Sequence, residues 1–83
     1  MDRAMFNMLS SGEQRSELLG SGAFLRHRKE GDLSVLLYQL HGYYVEVFYF
    51  MHNLSIQNIE SFDDLERLEP YLLDINIDKL LTA

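Results

Sequence analysis

The chain has no cysteine and a single proline in 83 residues. Without thiols there is no disulfide, thiolate metal centre or cysteine nucleophile to consider. Secreted domains of this size commonly depend on disulfides, so their absence favours a reducing compartment, and the chain reads as a cytoplasmic protein. No run approaches the roughly 20 apolar residues that a membrane span requires, and no membrane partner is expected. The N-terminus, Met-Asp-Arg-Ala-Met-Phe-Asn-Met-Leu, lacks a basic segment followed by an apolar one, so no signal peptide is expected. Positive charge is short in one half. Residues 1–41 hold five Lys/Arg and five Asp/Glu, whereas residues 42–83 hold two against eight, which places the whole net charge of −6 in the second half. An acidic surface repels phosphate backbones, so nucleic acid is a poor partner.

What is present is a sheet. Tyr43 to Phe50, Tyr-Tyr-Val-Glu-Val-Phe-Tyr-Phe, holds five of the ten aromatics, two valines and one charge. Such residues fill a pleated, packed surface, and the mid-chain position predicts a central strand. Strands are expected at Ala23–Lys29, Leu33–Leu40, Tyr43–Met51 and Ile56–Ser61, broken by Glu30-Gly31-Asp32, His41-Gly42 and His52 to Ser55. Links this short forbid parallel crossovers, so an antiparallel meander in sequence order follows.

Ahead of the sheet, Ser10-Ser11-Gly12-Glu13 has the form of a capping box. It opens a helix over 11–19, with Gly20 suited to the left-handed residue beyond its end. Residues 1–9 read as a short first helical turn or two, interrupted before that helix and open to fraying. Beyond the sheet, residues 62–81 read as helical. Ser61 or Asp63 is the cap, Pro70 ends one helix or opens the next, and Asn76 caps a last turn with Leu80 and Leu81. The fold class is α+β: a single domain over 1–83 with a four-stranded meander over 23–61, flanked by an N-terminal helix and a C-terminal helical segment, α-β-β-β-β-α.

If His41-Gly42 is the loop, Leu40 pairs with Tyr43, Tyr38 with Val45, Leu36 with Val47 and Ser34 with Tyr49. One face then carries Leu36, Tyr38, Leu40, Tyr43, Val45, Val47, Tyr49 and Met51. The other carries Leu33, Val35, Leu37, Gln39, Tyr44, Glu46, Phe48 and Phe50. Antiparallel sheets usually keep one face polar. Here both are apolar, so Val35, Leu37, Tyr44, Glu46, Phe48 and Phe50 form a candidate interface to be covered by a second copy, giving a homodimer.

The run Leu37 to Val47 (Leu-Tyr-Gln-Leu-His-Gly-Tyr-Tyr-Val-Glu-Val), with Ile59-Glu60-Ser61-Phe62, Pro70-Tyr71-Leu72 and Ile75-Asn76-Ile77, resembles a family of small uncharacterised bacterial proteins with no assigned activity. The resemblance covers about residues 20–80. It implies a fold and carries no functional residue.

No catalytic, cofactor or metal set stands out. His41 and His52 fall at opposite ends of one strand, and no histidine pair has the i, i+4 spacing of a helical metal motif. Arg26-His27-Arg28-Lys29 can hold a phosphate or an acidic partner, and reads more simply as a charged edge strand. The aromatic strand lacks the basic setting of RNA-binding sheets. Glu46 would make a general base if buried, but no nucleophile or second acid accompanies it, so an exposed edge or an arginine across an interface is the better reading. The acidic run Glu60, Asp63, Asp64, Glu66 and Glu69 lacks the spacing and glycine of a calcium loop and reads as a solvated helix face. The expected function is a non-enzymatic protein–protein interaction module that self-associates and needs no cofactor. The alternatives are a small-ligand binder or minor enzyme with a pocket of Tyr38, Tyr43, Tyr44 and Glu46, and an acidic regulator of a basic protein.

Overall fold

The computed structural model describes residues 1–74. Helices α1 (Arg3–Asn7) and α2 (Ser11–Ser21) precede strands β1 (Ala23–Glu30), β2 (Leu33–Leu40), β3 (Tyr43–Phe50) and β4 (Ile56–Phe62). A 3₁₀ helix (Leu65–Leu68) and helix α3 (Glu69–Asp74) follow. The chain is an α+β domain with one antiparallel sheet in the order β1-β2-β3-β4, so β3 is paired on both sides. The β2–β3 register is the expected one, Leu40 opposite Tyr43 through Ser34 opposite Tyr49, because a two-residue loop leaves no other pairing. In that loop the positive φ falls on His41, at 57°, and not on Gly42. No helix among the described residues is long and apolar enough to cross a membrane.

Asp2 caps α1, accepting from the Met5 amide at 2.8 Å. The expected short first turn forms as α1, and in place of the expected fraying it drives Phe6 into the core, fully buried against Tyr43. Burying a phenylalanine is worth about 1.5–3 kcal/mol, which offsets part of the cost of ordering the turn. Gln14, itself buried, donates to the Phe6 carbonyl at 3.0 Å and fixes α1 on α2. The Ser10–Glu13 capping box forms as expected.

Gly20 does not end α2 but lies inside it, and the chain leaves through Gly22 in an extended conformation. A Cβ on Gly22 would stand 2.7 Å from the Leu18 carbonyl oxygen, so the exit requires glycine by close approach.

Both helices cover one face of the sheet, where Phe6, Leu18, Leu40, Tyr43, Val45 and Val47 form the main core. A second cluster on the other face joins Leu37, Phe62 and Tyr71, with Tyr44 and Leu68 against it. The helix expected through 64–69 is instead a 3₁₀ turn, capped by Asp64 on the Glu66 amide. Pro70 sits in the first turn of α3, where its missing N–H costs nothing. The expected cap at Asn76 and the turn with Leu80 and Leu81 lie outside the described residues.

Candidate functional site

Glu46 is the one charge of β3. Alternation places it on the face away from α1 and α2, opposite Leu37 of β2 and Glu60 of β4. It is 2% exposed. The expected exposed edge, or an arginine from another subunit, is overturned: the cations come from the same chain. Two carboxylates directly opposite each other repel, and Arg67 stands between them. Its Nη2 donates to Glu46 Oε1 at 2.7 Å and to Glu60 Oε1 at 2.8 Å, while its guanidinium lies 4.5 Å over the Phe62 ring. Arg28 of β1 donates to Glu46 Oε2 at 3.2 Å and to Glu30 at 3.1 Å. The Tyr71 hydroxyl of α3 donates to the same Glu46 Oε2 at 2.6 Å.

Burial disfavours both guanidinium cations, but their anionic and hydrogen-bonded neighbours outweigh it and hold them above the usual arginine range. Those neighbours are Tyr71 and Glu46 for Arg28, and Glu60 and Glu46 for Arg67. Tyr71 is pushed well above a normal phenol, first by burial and then by its hydrogen bond to Glu46, with Arg28 opposing. Both oxygens of Glu46 are thus occupied by donors. A general base needs an oxygen within reach of a substrate proton. Here the carboxylate ties β1, β3, the 3₁₀ helix and α3 together, and Arg67 brings in β4.

Of the six candidate interface residues, Val35, Leu37, Glu46 and Phe48 are already buried within one chain. Tyr44 is half-buried and stacks on Phe62, with ring centroids 5.6 Å apart. Phe50 is half-buried near His52. The cover expected from a second copy comes, at Leu37 and Tyr44, from the chain's own Phe62, Leu68 and Tyr71. The acidic residues between Phe62 and Tyr71 give that segment the sequence pattern of a solvated helix face, which masks its role as cover. The postulated pocket of Tyr38, Tyr43, Tyr44 and Glu46 does not form. Tyr38 and Tyr43 lie on the helix-covered face and Tyr44 and Glu46 on the opposite one, as a period of two dictates.

The histidines stay apart. His27 Nε2 meets Ser34 Oγ at 2.7 Å, His41 Nε2 meets Glu17 Oε1 at 3.1 Å, and His52 lies in the turn after β3. No group of three or more metal-ligating side chains occurs among the described residues.

Arg67 and Tyr71 are the members of the cluster that sequence reasoning missed. Their i, i+4 spacing was visible, and a lone carboxylate in an apolar strand demands a cation. Comparison with protein-family models, curated proteins and solved structures finds no match to this chain, which leaves the family resemblance as an expectation from sequence.

Proposed function

We propose that this protein is a non-enzymatic protein–protein interaction module that self-associates, with the second copy seated on the part of the helix-covered sheet face that α2 leaves open. One observation carries the reading. Beside α2 a shallow trough is lined by Leu36, Tyr49, Leu54 and Arg15, and it adjoins a second depression lined by Leu18, Leu19 and Tyr38. Leu19 is 76% and Leu54 75% exposed, while Leu36, Tyr38 and Tyr49 are half-buried. A continuous apolar surface of this kind on a small domain marks an interaction site. A two-fold axis would set the same apolar residues of the two copies against each other. The occupied oxygens of Glu46 support the non-enzymatic part of the reading.

Sedimentation velocity tests it. A dimer that Leu54→Asp converts to monomer is expected, and a strict monomer at high micromolar concentration overturns the proposal.

A further inference from the structure

The basic stretch of the sequence has a place in the fold that self-association does not use. It is β1, Ala-Phe-Leu-Arg-His-Arg-Lys-Glu, at the edge of the sheet, and every residue of it except Arg28 is exposed. An edge strand turns alternate backbone N–H and C=O groups outward, ready to pair with another chain. The regular part of β1, 26–30, gives at about 3.3 Å per residue an edge of roughly 16 Å, enough for a short partner strand.

We infer that the outer edge of β1 is a docking site that takes an extended, acidic segment of another protein as a fifth strand. The charge argument separates the three cations of the strand. Arg28 turns inward to Glu46 and Glu30. Arg26 and Lys29 have no ion pair among the described residues. Arg26 pairs with Leu37, on the face that carries Glu46. Lys29 pairs with Ser34, on the face covered by the helices. A strand laid along β1 would therefore meet one available cation on each face of the sheet. A segment with acidic residues at neighbouring positions can offer carboxylates to both, because successive side chains point to opposite faces. At the start of the strand Phe24 and Leu25 are 55% and 42% exposed, and the register shifts between Phe24 and Arg26. They offer apolar contact beyond the charged part.

The same features argue against other occupants. Strand β1 of a second copy offers Arg26 only Glu30, already bound by Arg28, and offers Lys29 no carboxylate on its face. Strand β4 of a second copy offers one carboxylate, Glu60, already bound by Arg67 and Asn58. A nucleic acid gains affinity from many neutralised phosphates. This edge offers two cations on a chain of net charge −6. Backbone pairing with alternate side-chain contacts is the way extended peptides add to sheets, and here the side chains select for acid.

The test uses the full chain and a fluorescently labelled octapeptide, Val-Glu-Glu-Val-Val-Glu-Glu-Val, with blocked ends, which puts glutamates on both faces of an extended strand. The comparison probes are its lysine–valine counterpart and an eight-nucleotide oligothymidylate. The expected result is saturable binding of the acidic peptide alone, weakened by salt, with amide shifts centred on residues 23–30. Arg26→Glu with Lys29→Glu should weaken binding by about tenfold or more, the scale of one lost charged contact. Both side chains are exposed, so the double variant is expected to fold, and an unchanged thermal melt verifies this. Leu54→Asp, which addresses self-association, should leave peptide binding intact. Comparable binding of the lysine peptide or the oligonucleotide, no saturable binding, shifts centred elsewhere, or indifference to the double reversal would each overturn the proposal.

Discussion

Glu46 is a carboxylate in a strand otherwise built of tyrosine, valine and phenylalanine, and it is tolerated there because Arg28, Arg67 and Tyr71 all donate to it. A buried ion pair adds little over an apolar replacement, yet removing one partner is costly because the other charges stay buried. Because Arg28 keeps Glu30 and Arg67 keeps Glu60, Glu46→Gln should destabilise the fold by about 1.5–3 kcal/mol, and Tyr71→Phe by a similar amount as one hydrogen bond to a charged group is lost. Denaturant unfolding of the single and double variants measures both. Because the two residues share a bond, the double variant should lose less than the sum. Tyr71 also sets a pH dependence. Its folded-state pKa is raised, so the phenol contributes stability that is fully present below the unfolded value of about 10 and is lost as pH rises beyond it. Melting temperature should fall in alkali above that point, and Tyr71→Phe should flatten the fall. An alkaline profile identical in the two proteins would show that Tyr71 is not the group responsible.

Helix α2 shows how two glycines two residues apart carry opposite demands. Gly20 lies within the helix with open space where a Cβ would stand. Gly20→Ala should stabilise by about 0.5–1 kcal/mol through helix propensity. At Gly22 the same change puts a methyl 2.7 Å from the Leu18 carbonyl oxygen and should lower the melting temperature. Paired thermal melts decide it, and shifts of the same sign would refute the assignment. The sequence could not separate these two, because either glycine satisfies the rule that a glycine follows a helix. The capping box and the β2–β3 hairpin were legible since each is fixed by local chemistry: Ser10 and Glu13 three residues apart, and a two-residue loop between alternating strands. What lay hidden was long-range. Phe6 finds Tyr43 across 37 positions and Tyr71 finds Glu46 across 25, and nothing local to Phe6 or Tyr71 announces either contact. The fold was thus readable from neighbours in sequence, and the site was not.

For the whole molecule the balance lies between a small core and the surface left outside it. The helices α1 and α2 cover one face only in part, while the far face is held by the chain's own C-terminal residues through Glu46. A domain of this length buries a modest fraction of its surface, so covering the trough around Leu36, Tyr49 and Leu54 would add appreciably to its stability. That has a thermodynamic signature separate from size. If folding is coupled to dimerisation, mass action makes the melting temperature rise with protein concentration. A tenfold increase in concentration should shift the wild type upward by a few degrees, about the effect of 1 kcal/mol in a domain this small. Leu54→Asp and Leu19→Asp should remove the concentration dependence while leaving the dilute melt nearly unchanged, because both side chains are exposed in the single chain. Glu46→Gln should do the reverse, lowering the melt at every concentration and keeping its slope. A wild-type melt independent of concentration would mean that the open face meets water alone.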